Sequence, residues 1–182
     1  KDIKKSREEA RKLLKEAGQE NLKFVLWNRN LAMPYTPAGI FLVDQWRQIG
    51  VEVEHKQSDT APYLAAMNSG NFDVAIDFSN LFMDDSSLGL AKYLSITRAP
   101  ENRSRSKDEV LDKLYDDHMR ERDPAKRKAM IMAFEKRLFE QGYQQPLLWW
   151  HRIVLTHKTV MGWKMSPSHN LGQDLAEGWL NQ

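Results

Sequence analysis

Between Leu22 and Phe78 the hydrophobic period switches back and forth, and this alternation restricts the fold more than any other feature. Leu22-Lys23-Phe24-Val25-Leu26-Trp27, Val51-Glu52-Val53-Glu54-His55 and the run Phe72, Val74, Ile76, Phe78 repeat every second residue, as strands do. A helical period separates them. Ile40, Val43, Trp46 and Ile49 fall on one face of a helix from about Thr36 to Ile49, and Tyr63, Leu64 and Met67 on one from about Asp59 to Asn68. Gly50 and the pair Ser69-Gly70 punctuate the ends. Strand, helix, strand, helix, strand at such short intervals predicts parallel strands joined by right-handed crossovers. The fold class is therefore α/β, a mostly parallel sheet flanked by helices. Ahead of it, Ile3, Ala10, Leu13, Leu14 and Ala17 share one face of an opening helix that Gly18 stops.

From Ser86 the pattern becomes helical. Leu88, Leu90, Ala91 and Leu94 predict a short helix, and Arg98 to Lys107 a polar loop. Lys107–Arg122 and Pro124–Gln141 predict two charged amphipathic helices, with Asp123 as N-cap and Pro124 in the first turn. Their charges read as solvated faces. Pro146–Trp150 and Ile153–Thr156 are apolar and read as extended.

Composition narrows the function classes. The chain has 182 residues, enough for one good core and room for two subdomains. A net charge of +2, with acids and bases mixed, gives no reason to expect nucleic acid or an anionic membrane as partner. No apolar run approaches the roughly 20 residues that span a bilayer. Cysteine is absent, which removes disulfides, thiolate metal sites and cysteine nucleophiles. The sequence opens on Lys1 in what reads as the first turn of a helix, with no initiator methionine or signal peptide; a processed product or a piece of a larger protein is expected.

The five histidines, His55, His118, His151, His157 and His169, show no i,i+3 or i,i+4 pairing, so no metal site is expected. The first strand is not followed by a Gly-rich phosphate fingerprint, and Ser79, Ser86, Ser87 and Ser104 lack a nucleophile-elbow context. No catalytic residue and no cofactor is assigned. The loop that leaves the third strand is the first candidate, because ligands in open α/β sheets bind beyond the carboxyl ends of the strands. It offers Ser79, Asn80, Phe82, Asp84 and Asp85. The Asp-Asp-Ser-Ser run is equally an ordinary helix N-cap. Trp27, Trp149 and Trp150 sit at or near predicted strand ends, where aromatics wall pockets or simply pack.

Several segments, in order, resemble one family. Ala10-Arg11-Lys12-Leu13-Leu14-Lys15-Glu16-Ala17-Gly18 resembles the A-x-x-L-L-x-E-A-G helix that opens the C-terminal lobe of family 5 solute-binding proteins, the dipeptide and oligopeptide receptors of bacterial ABC importers. Asp44 through Val53 resembles their L-x-x-I-G-I-x-V junction, and Gly70-Asn71-Phe72-Asp73 their G-x-F-D strand entry. Asn102 through Asp112, Asp123-Pro124-Ala125-Lys126-Arg127 and Pro146-Leu147-Leu148-Trp149 match three later elements.

The resemblance implies one lobe of a type II periplasmic-binding-protein-like fold, residues 1–182 forming the C-terminal lobe with the N-terminal lobe absent. It implies a ligand held between lobes that close by hinge bending, docking of the closed form on a membrane permease, and no covalent chemistry. It implies a periplasmic or extracytoplasmic location, free or lipid-anchored. In peptide-binding relatives a carboxylate after the third strand pairs with the peptide's amino terminus. Ungapped register puts Phe82 there, which would exchange a charge-assisted hydrogen bond for an aromatic wall; a shift of one or two residues restores the anchor with Asp84. The same register brings the loop Asn28–Tyr35, with Asn30, Met33 and Tyr35, and the region around Thr60 to the cleft, and Asn102 and Trp149 complete the candidate ligand-binding set.

Two other classes stay open at this point. A standalone interaction module that kept the lobe fold predicts a polar surface where a second lobe would sit. An enzyme with an unrecognised site predicts titratable groups converging in one pocket.

Overall fold

A computed structural model of the protein describes residues 2–79, 85–149, 151, 153–166 and 174–181. Two compact units divide it, residues 1–78 and 79–182.

The first unit follows the alternation of its sequence. Helix α1 (Ile3–Glu16) precedes strand β1 (Lys23–Arg29), helix α2 (Tyr35–Arg47), strand β2 (Glu52–Ser58), helix α3 (Thr60–Ser69) and strand β3 (Val74–Ala75). The strands are parallel in the order β2-β1-β3, with Leu26 opposite His55 on one side and Val74 on the other. A central strand flanked on both edges buries its inward residues, and Leu26 and Asn28 are fully buried. Val51, Tyr63, Ala66 and Met67 complete the core, and Trp46 of α2 meets Phe24 edge to face at 5.1 Å. Gly70 ends α3 in the left-handed region (φ 73°), which a residue without Cβ adopts freely.

The third strand is shorter than the alternation through Phe78 predicts. Asp73 explains its start: the carboxylate Oδ2 accepts the Val25 N–H at 3.0 Å, taking a donor that a longer ladder would use. Beyond Ala75 one more ladder bond forms, from Ile76 N–H to the Trp27 carbonyl at 3.1 Å. Trp27 lies near the end of β1, with the Lys56 ammonium 4.1 Å from its ring centroid.

Helix α2 approaches the sheet through Gly39. A Cβ there would stand 2.6 Å from Asn28 Nδ2 and closer still to the His55 ring. Gly39→Ala gains about 1 kcal/mol of helix propensity. It also forces two packed polar side chains apart, so a net loss of about 2 kcal/mol is expected in urea unfolding.

The second unit comprises α4 (Ser86–Ala91), α5 (Glu109–Arg120), α6 (Pro124–Glu140) and an antiparallel pair, β4 (Val160–Met161) with β5 (Trp179–Leu180). Leu90, Leu94, Ala99, Leu111, Phe134 and Leu138 form its core. Asp123 caps α6 with Pro124 in the first turn, as its sequence requires. Helix α5 begins two residues later than its periodicity predicts because Asp108 is its cap, accepting from the Val110 and Leu111 amides. The polar loop before it is ordered from inside by Asn102. The apolar segments 146–149 and 153–156 hold no regular element; Trp149 is 92% and Leu155 94% exposed.

Candidate functional site

The carboxyl edge of the parallel sheet gathers a polar cluster around Arg29, the last residue of β1. One guanidinium nitrogen donates to the Tyr35 hydroxyl (3.1 Å) and the other to Thr60 Oγ1 (2.9 Å). The guanidinium also lies over the rings of Tyr35 (4.9 Å) and Phe78 (5.8 Å). All of these partners are neutral. Among the described residues no carboxylate pairs with Arg29, and its Nε is buried without a hydrogen-bond partner.

Parallel topology puts the N-termini of α2 and α3 at this same edge. Neither helix carries a side-chain cap: Pro34 cannot supply one to α2, and Asp59 makes no capping bond to α3. Two helix N-termini without side-chain caps, one of them beginning at the Asp59 carboxylate, flank a half-buried cation that is held, among the described residues, only by neutral groups; at Arg29 this makes a positively polarised wall. Such a wall stabilises an anion, and the fork of an arginine matches a carboxylate.

Of the residues anticipated in this unit, Tyr35 and Thr60 meet through Arg29. Asn30 is exposed and contributes its backbone N–H to the Ser58 carbonyl (2.8 Å). Met33 is 62% exposed, one residue before the cis Met33–Pro34 bond's proline. Arg29 lies in the loop Asn28–Tyr35 that the resemblance brings to the cleft, but the sequence does not single it out: a strand-terminal arginine reads as a solvated charge, and only its place at the carboxyl end of a strand marks it.

In the second unit, Ser79 is exposed and its hydroxyl accepts from Lys92 Nζ at 2.5 Å. Asp85 is the N-cap of α4, accepting from Ser87 N–H at 2.7 Å, so the capping reading of the Asp-Asp-Ser-Ser run describes it. The bond to Ser87 holds its carboxyl below the ordinary carboxylate value. Asn102 is buried, and both ends of its amide serve the surrounding loop. Nδ2 donates to the Leu94 carbonyl (2.8 Å) and to Ser106 Oγ (3.0 Å), and Oδ1 accepts from Ser104 N–H (3.1 Å) and Oγ (2.6 Å). Trp149 is exposed on an irregular segment. Asn80, Phe82 and Asp84 lie outside the described residues, as do Trp150 and His169.

Ser87 and His118 also meet, at 3.1 Å, with His118 Nδ1 on the Tyr115 carbonyl at 2.6 Å. Both residues are buried, and Arg127 donates to the same serine oxygen at 2.8 Å. A backbone carbonyl stands where a triad would need a carboxylate. The cluster braces α4 against α5 and α6. Among the described residues no group of histidines and acids could hold a metal ion.

The model of the bacterial extracellular solute-binding proteins, family 5, middle region, matches residues 1–99. The chain belongs to this family. Solved relatives of the same fold include the periplasmic binding protein DppA of Helicobacter pylori in complex with the peptide STSA, with TM-score 0.83 and 19% identity over 96% of this chain. The murein tripeptide-binding protein MppA of Escherichia coli has TM-score 0.68 and 27% identity over 77% of this chain and 28% of its own. A dipeptide-binding protein of Pseudoalteromonas sp. SM9913, in complex with Met-Leu, has TM-score 0.67 and 19% identity over 75% of this chain and 28% of its own. The chain spans about a third of the first of these, 34% of its length. No curated protein matches it. The family is one of extracellular solute-binding proteins, not of enzymes. Among the described residues no helix is long and apolar enough to cross a membrane.

Proposed function

We propose that this chain is the C-terminal lobe of a two-lobed solute receptor of a bacterial ABC importer, and that Arg29 anchors an anionic group of the solute, a carboxylate first of all. One observation carries the reading. Arg29 is a half-buried cation whose partners among the described residues are all neutral, at the edge of a parallel sheet where ligands of such sheets bind. The 27% identical murein tripeptide-binding protein supports the solute class, since a peptide presents a carboxylate. Tyr35 and Thr60 hold the guanidinium in place, and Phe78 offers an apolar face beside it.

The missing N-terminal lobe supplies the opposite wall in this reading. Solute is trapped by hinge closure, the closed form is presented to a permease on the outer side of the membrane, and no bond is made or broken. Small-angle scattering of the full-length native protein tests the hinge. A smaller radius of gyration with bound solute is expected. An unchanged radius with saturating solute contradicts closure, and a native chain no longer than this one contradicts the two-lobed reading.

A further inference from the structure

Asn28, at the end of β1, is fully buried, and two backbone groups fix which way its amide points. Its Oδ1 accepts the Arg29 N–H at 2.9 Å, and its Nδ2 donates to the Tyr35 carbonyl at 2.6 Å. Turned over, the amide would set oxygen against the Tyr35 carbonyl and NH2 against the Arg29 N–H, so the observed orientation is the only satisfied one. The remaining hydrogen on Nδ2 faces His55 Nε2 at 3.0 Å. Nε2 must therefore accept. The His55 ring is neutral and carries its single proton on Nδ1. Gly39 backs onto this pair so closely that a Cβ there would collide with both side chains.

We propose that His55 is a positioning residue for the Arg29 site, a latch that protonation opens. Neutral, it holds Asn28, and Asn28 holds the backbones of Arg29 and Tyr35, the cation and the hydroxyl that orients it. Protonated, Nε2 becomes a second donor facing the Asn28 NH2, and the contact turns repulsive. The consequence for solute rests on the anion-anchor reading above; the latch itself does not.

The charged groups packed nearby leave His55 as the one that responds. From α2 the titratable group at this face is the Tyr35 hydroxyl, bonded to Arg29. The charged residues of α2, Asp44 and Arg47, pair with each other at 2.7 Å. From β1, Lys23 pairs with Glu52 at 2.5 Å and Arg29 is the cation of the site. On β2 itself, Glu54 and Lys56 alternate to the opposite face. From α1, Arg7 and Arg11 reach Gln45 and the Gln48 carbonyl near the far end of α2. Burial pushes the His55 imidazole below the ordinary histidine value. The neutral latch, and the stability it adds, is thus fully present above about pH 6.5 and is lost as pH falls through the lower folded-state value.

Long-range 1H–15N NMR of the histidine rings tests the latch in the unaltered protein. At neutral pH His55 is expected with its proton on Nδ1, and on acidification the Arg29 amide resonance moves with the His55 midpoint. In His55→Gln, whose side-chain oxygen accepts from Asn28 at every pH, the Arg29 amide stays still. A proton on Nε2 at neutral pH, or an Arg29 amide that ignores the His55 titration, overturns the latch.

Trifluoroacetate, a carboxylate ionised throughout this range, probes the site. It should bind roughly fivefold more weakly at about pH 5 than at about pH 7.5 in the unaltered protein, and equally at both in the variant. An equal acid loss in both proteins overturns the coupling. Trifluoroacetate that never perturbs Arg29 overturns the anion anchor, and the ring tautomer still decides the latch.

Discussion

Asp108→Asn will lower the unfolding free energy by about 3 kcal/mol, the lower end for removing one partner of a buried ion pair. Asp108 is 4% exposed, and both its oxygens are fully engaged. Oδ1 caps α5 through the Val110 and Leu111 amides at 3.0 and 3.2 Å. Both oxygens accept from Arg137 Nε, at 3.0 and 2.8 Å, and Oδ2 also accepts from the Tyr143 hydroxyl at 3.3 Å. Asparagine keeps the shape and one acceptor. It points an NH2 at the donors of Arg137 and Tyr143, so the cation between α5 and α6 loses its countercharge. Arg137 is a third exposed and recovers some hydration, which sets the value at the low end.

The same residue sets an acid limit. Burial pushes the Asp108 carboxyl up, but Arg137 and the two helix amides outweigh it and hold the group below the ordinary value. Its contribution is therefore complete above about pH 4 and is lost as pH falls through the depressed folded value. Urea midpoints measured against pH should show this loss in the parent and not in Asp108→Asn. A variant as stable as the parent at neutral pH contradicts the account of the second unit's core.

Arg29→Met will weaken binding of a carboxylate-bearing solute to the full-length receptor by on the order of 100-fold, while the fold persists. Methionine keeps much of the apolar stem but removes the charge, so a bound carboxylate would be buried without a counter-ion. Arg29→Lys should recover only part of the loss. An ammonium cannot hold the Tyr35 hydroxyl, Thr60 Oγ1 and both solute oxygens in one plane. Isothermal titration of the three proteins checks the order. Equal affinities would remove Arg29 from the site.

Much of the first unit was legible in the sequence because period-2 and period-3.6 runs alternate there with little ambiguity. The parallel sheet, the order of elements and the α1 boundaries follow from that pattern, while in the second unit Asp123-Pro124 marks the start of α6. The short β3 did not, since nothing in the alternation shows that the Asp73 carboxylate will take the Val25 amide. The family resemblance points to the loop Asn28–Tyr35 and to Thr60 without singling out Arg29, because a cation's partners decide its role and sequence does not display them. Asn102 sits in a recognisable element, yet its amide is spent on its own loop. Asp85 shows how one short motif admits both a cap and a ligand, and its bond to Ser87 favours the cap.

The most direct measurement follows the Arg29 Nε–H resonance of the full-length protein during titration with a tripeptide, and then with the same tripeptide amidated at its C-terminus. The free acid is expected to shift the resonance, and the amide, lacking the charge, to leave it nearly in place. An Arg29 resonance that ignores the acid, or responds equally to both, contradicts the proposal that this edge of the sheet anchors the solute by its anionic group.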